Sequence, residues 1–184
     1  MAREYKNSGV KWIGEIPENW TVSKVKYLGK SSNGLTYAPA DVCDENEGIL
    51  VLRSSNIQNG KFSYSDNVYV KSAPKALEVR QGDIVICSRN GSAELVGKCA
   101  IVEEDIYATY GAFMLRFHPS CNNKYVYYLL TTTITNYKAL FATTTINQLT
   151  QSVLSNMSLP YTNYMNEQKA IADFLDAKCA EIDG

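Results

Sequence analysis

Apolar residues in the first two thirds of the chain come in short runs broken by turn formers. Gly82-Asp83-Ile84-Val85-Ile86-Cys87 is the strongest, and its four consecutive apolar side chains predict a buried strand. Gly97–Val102 returns as its partner after the polar loop Ser88-Arg89-Asn90-Gly91-Ser92. Gly48–Arg53 predicts a second buried strand, closed by Ser54-Ser55-Asn56. Asn59-Gly60 predicts a tight hairpin turn, with Phe62 and Tyr64 alternating beyond it. Thr21–Leu28, Val68–Val70 and Ala112–His118 supply further strands, Ser31–Gly34 a turn, and Ala73–Val79 one or two helical turns. By residue 118 the core is mainly β.

The rhythm then changes. Val126, Leu129, Leu130, Ile134, Tyr137, Leu140 and Phe141 recur every three to four residues, which predicts a helix over 124–141 despite its threonines. Thr143-Thr144-Thr145 reads as a polar loop, Thr150–Leu154 as a short helix and Met157–Pro160 as an extended exit. Asn166 is the predicted N-cap of a last helix, with Glu167 in its first turn. Along that helix Ile171, Phe174, Leu175, Lys178 and Ile182 form one stripe, and the opposite face is acidic.

Composition adds little to this picture. With 45% hydrophobic content, 184 residues suffice for one sizeable core plus an appendage. Thirteen tyrosines tilt the aromatics toward side chains that are apolar and hydrogen-bonding at once. A net charge of −1 argues against a protein that coats nucleic acid indiscriminately. The charge is uneven, however: residues 166–184 carry −3 and the remainder +2. Five scattered cysteines without a C-x-x-C and a single histidine argue against a zinc site and predict free buried thiols. No apolar run approaches the ~20 residues needed to span a bilayer. The expected location is cytoplasmic, with no membrane partner.

Catalytic constellations are incomplete. Gly91 and Gly97-Lys98 are one residue too far apart for a phosphate-binding loop, and Cys99 stands where a magnesium-binding hydroxyl belongs. Ser158-Leu159-Pro160-Tyr161 lacks a companion glycine-rich cofactor loop, and His118 is read as a core or edge histidine. What remains is a set of polar loops on strong strands, rich in the Arg, Asn, Gln and Ser that read base edges and hold phosphates.

An N-terminal arm, Lys11-Trp12-Ile13-Gly14-Glu15-Ile16-Pro17-Glu18-Asn19-Trp20, holds both tryptophans, which composition places in the core. Starting from Ser8, this arm resembles the opening of a target-recognition domain from the specificity (S) subunit of type I restriction-modification enzymes. Arg53–Gly60, the block Gly82–Ile86 with Arg89, Gly91 and Gly97-Lys98, and Thr144–Leu149 leading into Glu167–Asp176 resemble later segments of that family in the same order. Tyr161–Tyr164 departs from it, replacing the second proline usual before the Glu-Gln pair.

The resemblance implies an α/β (α+β) fold with a twisted, mostly antiparallel sheet and flanking helices over 1–165, followed by a spacer or dimerisation helix over 166–184. It implies a non-catalytic subunit that reads one half of a bipartite target in double-stranded DNA for methylation and restriction subunits. No cofactor is expected on this chain, because S-adenosylmethionine belongs to the methylation subunit. The expected DNA-binding residues are Arg53, Ser54, Asn56, Lys61, Ser88, Arg89, Asn90, Ser92, Lys98, Tyr110, Thr143, Thr144, Thr145, Asn147 and Gln148. Ile171, Phe174, Leu175, Lys178 and Ile182 are expected to meet a second copy or a second recognition domain. The competing reading is a protein-assembly module with little DNA affinity of its own.

Overall fold

The computed structural model describes residues 3–141 and 147–183. Two four-stranded sheets form its centre. The first is antiparallel, in the order Cys99–Ile101, Ile84–Cys87, Met114–Pro119, Gly29–Asn33. The second runs Ala108–Tyr110, Ile49–Leu52, Tyr69–Val70, Val42–Cys43, and only its first pair is parallel. Helices α1 (Asn123–Phe141), α2 (Gln151–Asn156) and α3 (Met165–Asp183) complete the α+β architecture expected from the sequence.

Ile84–Cys87 explains why its sequence is apolar without alternation. Side chains alternate between the faces of a strand, and here both faces are covered. Ile84 and Ile86 join Leu115, Phe117, Val126, Leu130 and Ile134 in a core closed by α1. Val85 and Cys87 point the other way, into a second core with Leu50, Leu52, Ile57, Ala108 and Tyr110 from the mixed sheet and its flanks. Of the α1 threonines, Thr131 and Thr135 return their hydroxyls to the carbonyls four residues back, whereas the buried Thr133 hydroxyl has no hydrogen-bond partner among the described residues. Asn59-Gly60 forms the expected two-residue turn, with φ of 50° and 76°, joining Ile57–Gln58 to Lys61–Phe62.

Several expectations need correction. Ser31–Gly34 is not a turn, since Gly29–Asn33 is the edge strand paired to Met114–Pro119. Its glycine signal has another cause: a Cβ on Gly34 would sit 2.1 Å from the Gly111 carbonyl oxygen. The Thr21–Leu28 strand stops at Lys24 and continues as a 3-10 turn over Val25–Tyr27. The tryptophans are half-buried clamps rather than core residues. Trp12 packs edge-on against Tyr137 of α1 at 6.1 Å, and the Trp20 indole N–H donates to Glu167 Oε2 at 3.0 Å.

Helix α3 opens at Met165, so Asn166 lies in its first turn. Glu167 accepts from Thr162 Oγ1 at 2.7 Å and from Arg3, in addition to Trp20. Burial alone would raise the Glu167 pKa, but these donors outweigh it and hold the carboxyl below its ordinary value. Gln168 is fully buried and donates to the Thr162 carbonyl at 2.8 Å. Further along, Asp176 accepts from Lys124 and Tyr128 of α1 at 2.6 and 2.7 Å. The expected partner stripe is therefore divided. Ile171 and Leu175 are half-buried beside this docked side, whereas Phe174, Lys178 and Ile182 are exposed.

Candidate functional site

Three loops leave the sheets on the same side. The Ile49–Leu52 strand delivers Arg53 and the 3-10 turn Ser54–Asn56. Ile84–Cys87 delivers Ser88–Ser92, whose far end is pinned where Gly97 N–H donates to the Cys87 carbonyl at 2.8 Å. The turn Gly111–Met114 joins the two sheets, and Gly111 N–H donates to the Leu52 carbonyl at 3.0 Å. A segment after α1 joins them: Arg89 and Gln148 form an antiparallel bridge, and Leu149 N–H donates to the Ser88 carbonyl at 2.7 Å.

These loops enclose an open cleft of about 1020 Å³, bordered by Arg53, Ser54, Arg89, Asn90, Asn147 and Phe113 among others. Its loops are tied to one another. Asn90 Nδ2 donates to Ser54 Oγ at 3.2 Å and Asn147 Nδ2 to the Gly91 carbonyl at 3.3 Å. Lys98 sits half-buried beneath and donates to the Ser54 carbonyl at 3.3 Å. The Arg89 guanidinium lies over the Phe113 ring, 5.2 Å from its centre. Arg53 is held by the carbonyl and carboxylate of Asp66, both at 2.9 Å. Hydrogen bonds from Ser55 and then Arg53 lower the pKa of Asp66. Gln148 lines an adjoining polar depression with Asn33, Thr150 and Ser152. No carboxylate borders either hollow among the described residues.

The structure thus gathers Arg53, Ser54, Arg89, Asn90 and Asn147 in one cleft, with Gln148 beside it and Ser92 exposed on the same loop. Other expected contacts are buried or lie elsewhere. Asn56 is fully buried: its Oδ1 accepts from Arg53 N at 2.9 Å, and its Nδ2 faces the Ser63 and Asp66 carbonyls at 3.0 and 3.2 Å. Tyr110 is fully buried, its hydroxyl 2.7 Å from Ser32 Oγ. Ser88 is only 6% exposed. Lys61 lines a different hollow, with Glu103, Glu104, Tyr127, Tyr128 and Asp176. Thr143, Thr144 and Thr145 lie outside the described residues.

Sequence reasoning missed Phe113, whose exposed ring sits in what reads as an ordinary strand alternation. It also missed the buried Asp83, whose Oδ1 is 2.6 Å from His118 Nδ1 and whose Oδ2 accepts from Arg80 N at 2.8 Å. Buried thiols are less general than expected: Cys87 and Cys99 are buried, whereas Cys179 is exposed. Burial pushes Cys99 up to about 12, which makes it a poor nucleophile. Among the described residues no three His, Cys, Asp or Glu side chains gather as metal ligands, and no helix is long and apolar enough to cross a membrane.

Comparison with known proteins places this geometry in a family. The model of the type I restriction modification DNA specificity domain matches residues 17–183. The specificity subunits of the type I restriction enzymes StySPI of Salmonella potsdam and EcoKI of Escherichia coli K12 are each 28% identical over 178 residues. Each alignment covers 92% of this chain and 38% of the relative. The MjaVIII specificity subunit of Methanocaldococcus jannaschii is 26% identical, over 94% of this chain and 42% of its own. In fold, the chain is similar to the HsdS subunit of Thermoanaerobacter tengcongensis, with a TM-score of 0.70 at 14% identity over 97% of this chain and 40% of that one. A chain from a type I restriction-modification assembly gives a TM-score of 0.74 at 16% identity, over 97% of this chain and 42% of that one. The chain therefore spans about two fifths of the length of these relatives. By the family match over almost its whole length, the chain belongs to the type I restriction-modification DNA specificity family.

Proposed function

We propose that the chain is a target-recognition domain that reads one half of a bipartite site in double-stranded DNA. The observation that carries this is the cleft: Arg53, Arg89, Asn90, Asn147 and Gln148 on tied loops, with no carboxylate along its border among the described residues. Arg matches guanine and Asn or Gln matches adenine in the major groove; a lining without acids leaves Arg89, Asn90 and Asn147 open to bases and phosphates, whereas Arg53 is shared with the exposed Asp66. The acidic side chains Glu103, Glu104 and Asp176 line a separate hollow.

In this reading residues 1–165 recognise DNA, and 166–184 begin an antiparallel helix pair with a second copy or a second recognition domain. Exposed Phe174 and Ile182 on α3 support that pairing. The chain is non-catalytic and acts in the cytoplasm, directing methylation and restriction subunits. S-adenosylmethionine belongs to the methylation subunit.

The test is binding of a labelled duplex pool across a salt series, with selection of the retained sequences. A steep fall in affinity with salt and one enriched half-site are expected. Salt-insensitive association with a partner subunit, with no enriched sequence, would instead establish the assembly-module reading.

A further inference from the structure

We propose that Phe113 is a specificity-determining residue that packs against the 5-methyl group of a thymine in the major groove. The inference rests on the cleft being the DNA-reading surface.

Phe113 is 58% exposed, yet its backbone is fixed. Its carbonyl accepts from both Ser88 N at 2.9 Å and Arg89 N at 3.1 Å. The next residue, Met114, is 1% exposed and donates its N–H to the Gly111 carbonyl at 2.8 Å. The ring is thus presented on a rigid turn. The Arg89 guanidinium lies over the ring, which places a donor fork and an apolar surface side by side. That pairing suits a guanine next to a thymine: Arg takes the O6 and N7 acceptors, and an apolar side chain takes the methyl. A protein partner would call for a broader apolar patch than one ring set among Arg53, Asn90 and Asn147.

The test uses the full chain assembled with its methylation subunit, after methylation mapping has identified the target. Thymines of the target are replaced one at a time by deoxyuridine, which removes only the methyl group. At one position the wild type is expected to lose about fourfold in affinity, the worth of one methyl-sized apolar group. Phe113→Ala should bind the thymine duplex about fourfold more weakly and be indifferent to deoxyuridine there. Phe113→Leu should keep part of the discrimination. The proposal is overturned if Phe113→Ala still loses affinity at every position where the wild type does. It is equally overturned if deoxyuridine has no effect on a wild type that remains sequence-specific. A wild type with no sequence preference would instead overturn the DNA-reading assignment of the cleft.

Discussion

Replacing Asn56 with alanine removes one acceptor and two donors from the interior of the Arg53–Asn67 loop. Its Oδ1 satisfies Arg53 N, while Nδ2 faces the Ser63 and Asp66 carbonyls and Asn67 Oδ1 at 3.0, 3.2 and 3.3 Å. Two amide hydrogens serve two of those three acceptors at once, so three hydrogen bonds are lost in all. At about 1 kcal/mol each, the cost is about 3 kcal/mol, which for a chain of this size lowers Tm by roughly 6–12 °C. Asn56→Asp should do no better, because it turns a carboxylate toward two carbonyl oxygens in a buried site. Thermal unfolding followed by circular dichroism and urea titration measures both variants. If Asn56→Ala unfolds like the wild type but loses DNA affinity, the side chain contacts DNA after all, and the structural assignment is refuted.

Arg89→Ala should lower the unfolding midpoint by no more than about 4 °C, since the side chain is exposed and gives up only its contact with the Phe113 ring, and weaken specific DNA binding by ~1–3 kcal/mol in an anisotropy titration. Gly34→Ala should destabilise strongly, by about 3 kcal/mol or more, because its Cβ meets backbone oxygens rather than a movable side chain; unfolding or loss of soluble protein reads this out. Glu167 and Asp176 predict an acid-sensitive joint between α3 and the domain. Burial raises both pKa values, but hydrogen bonds from Thr162, Arg3 and Trp20, and from Lys124 and Tyr128, bring each below its ordinary value of 4.5 or 3.8. Their contribution is therefore fully present above those values and is lost as pH falls through the lower folded values. Glu167→Gln should flatten this acid limb in unfolding midpoints taken between pH 3 and 7, and an unchanged profile would count against the joint.

The sequence was most legible where one residue type has one physical use. Ile84–Cys87 had to be doubly buried, Asn59-Gly60 had to turn, and the three-to-four spacing after residue 123 had to be helical. It was less legible where a residue type has two uses. Glycine and serine at 31–34 signal a turn or a crowded edge strand, and only the approach of the Gly111 carbonyl decides between them. Asparagine reads bases or satisfies loop backbone. Asn90 and Asn147 border the cleft while Asn56 is internal, and nothing in the local sequence separates the cases. Tryptophan 12 and 20 looked like core residues because size was the only signal; their actual role is to fasten the N-terminal ribbon to α1 and α3. Phe113 was invisible because exposure of a strand-end aromatic depends on where the neighbouring loop ends.

The most direct test of the central claim is the adenine methylation pattern of a host co-expressing this chain with a matching methylation subunit. The account predicts one new bipartite motif, palindromic if two copies pair through α3, and loss or relaxation of one half when Arg89 is replaced by alanine. A stable complex on a sizing column that adds no methylation motif would contradict the assignment of the cleft as a DNA-reading surface.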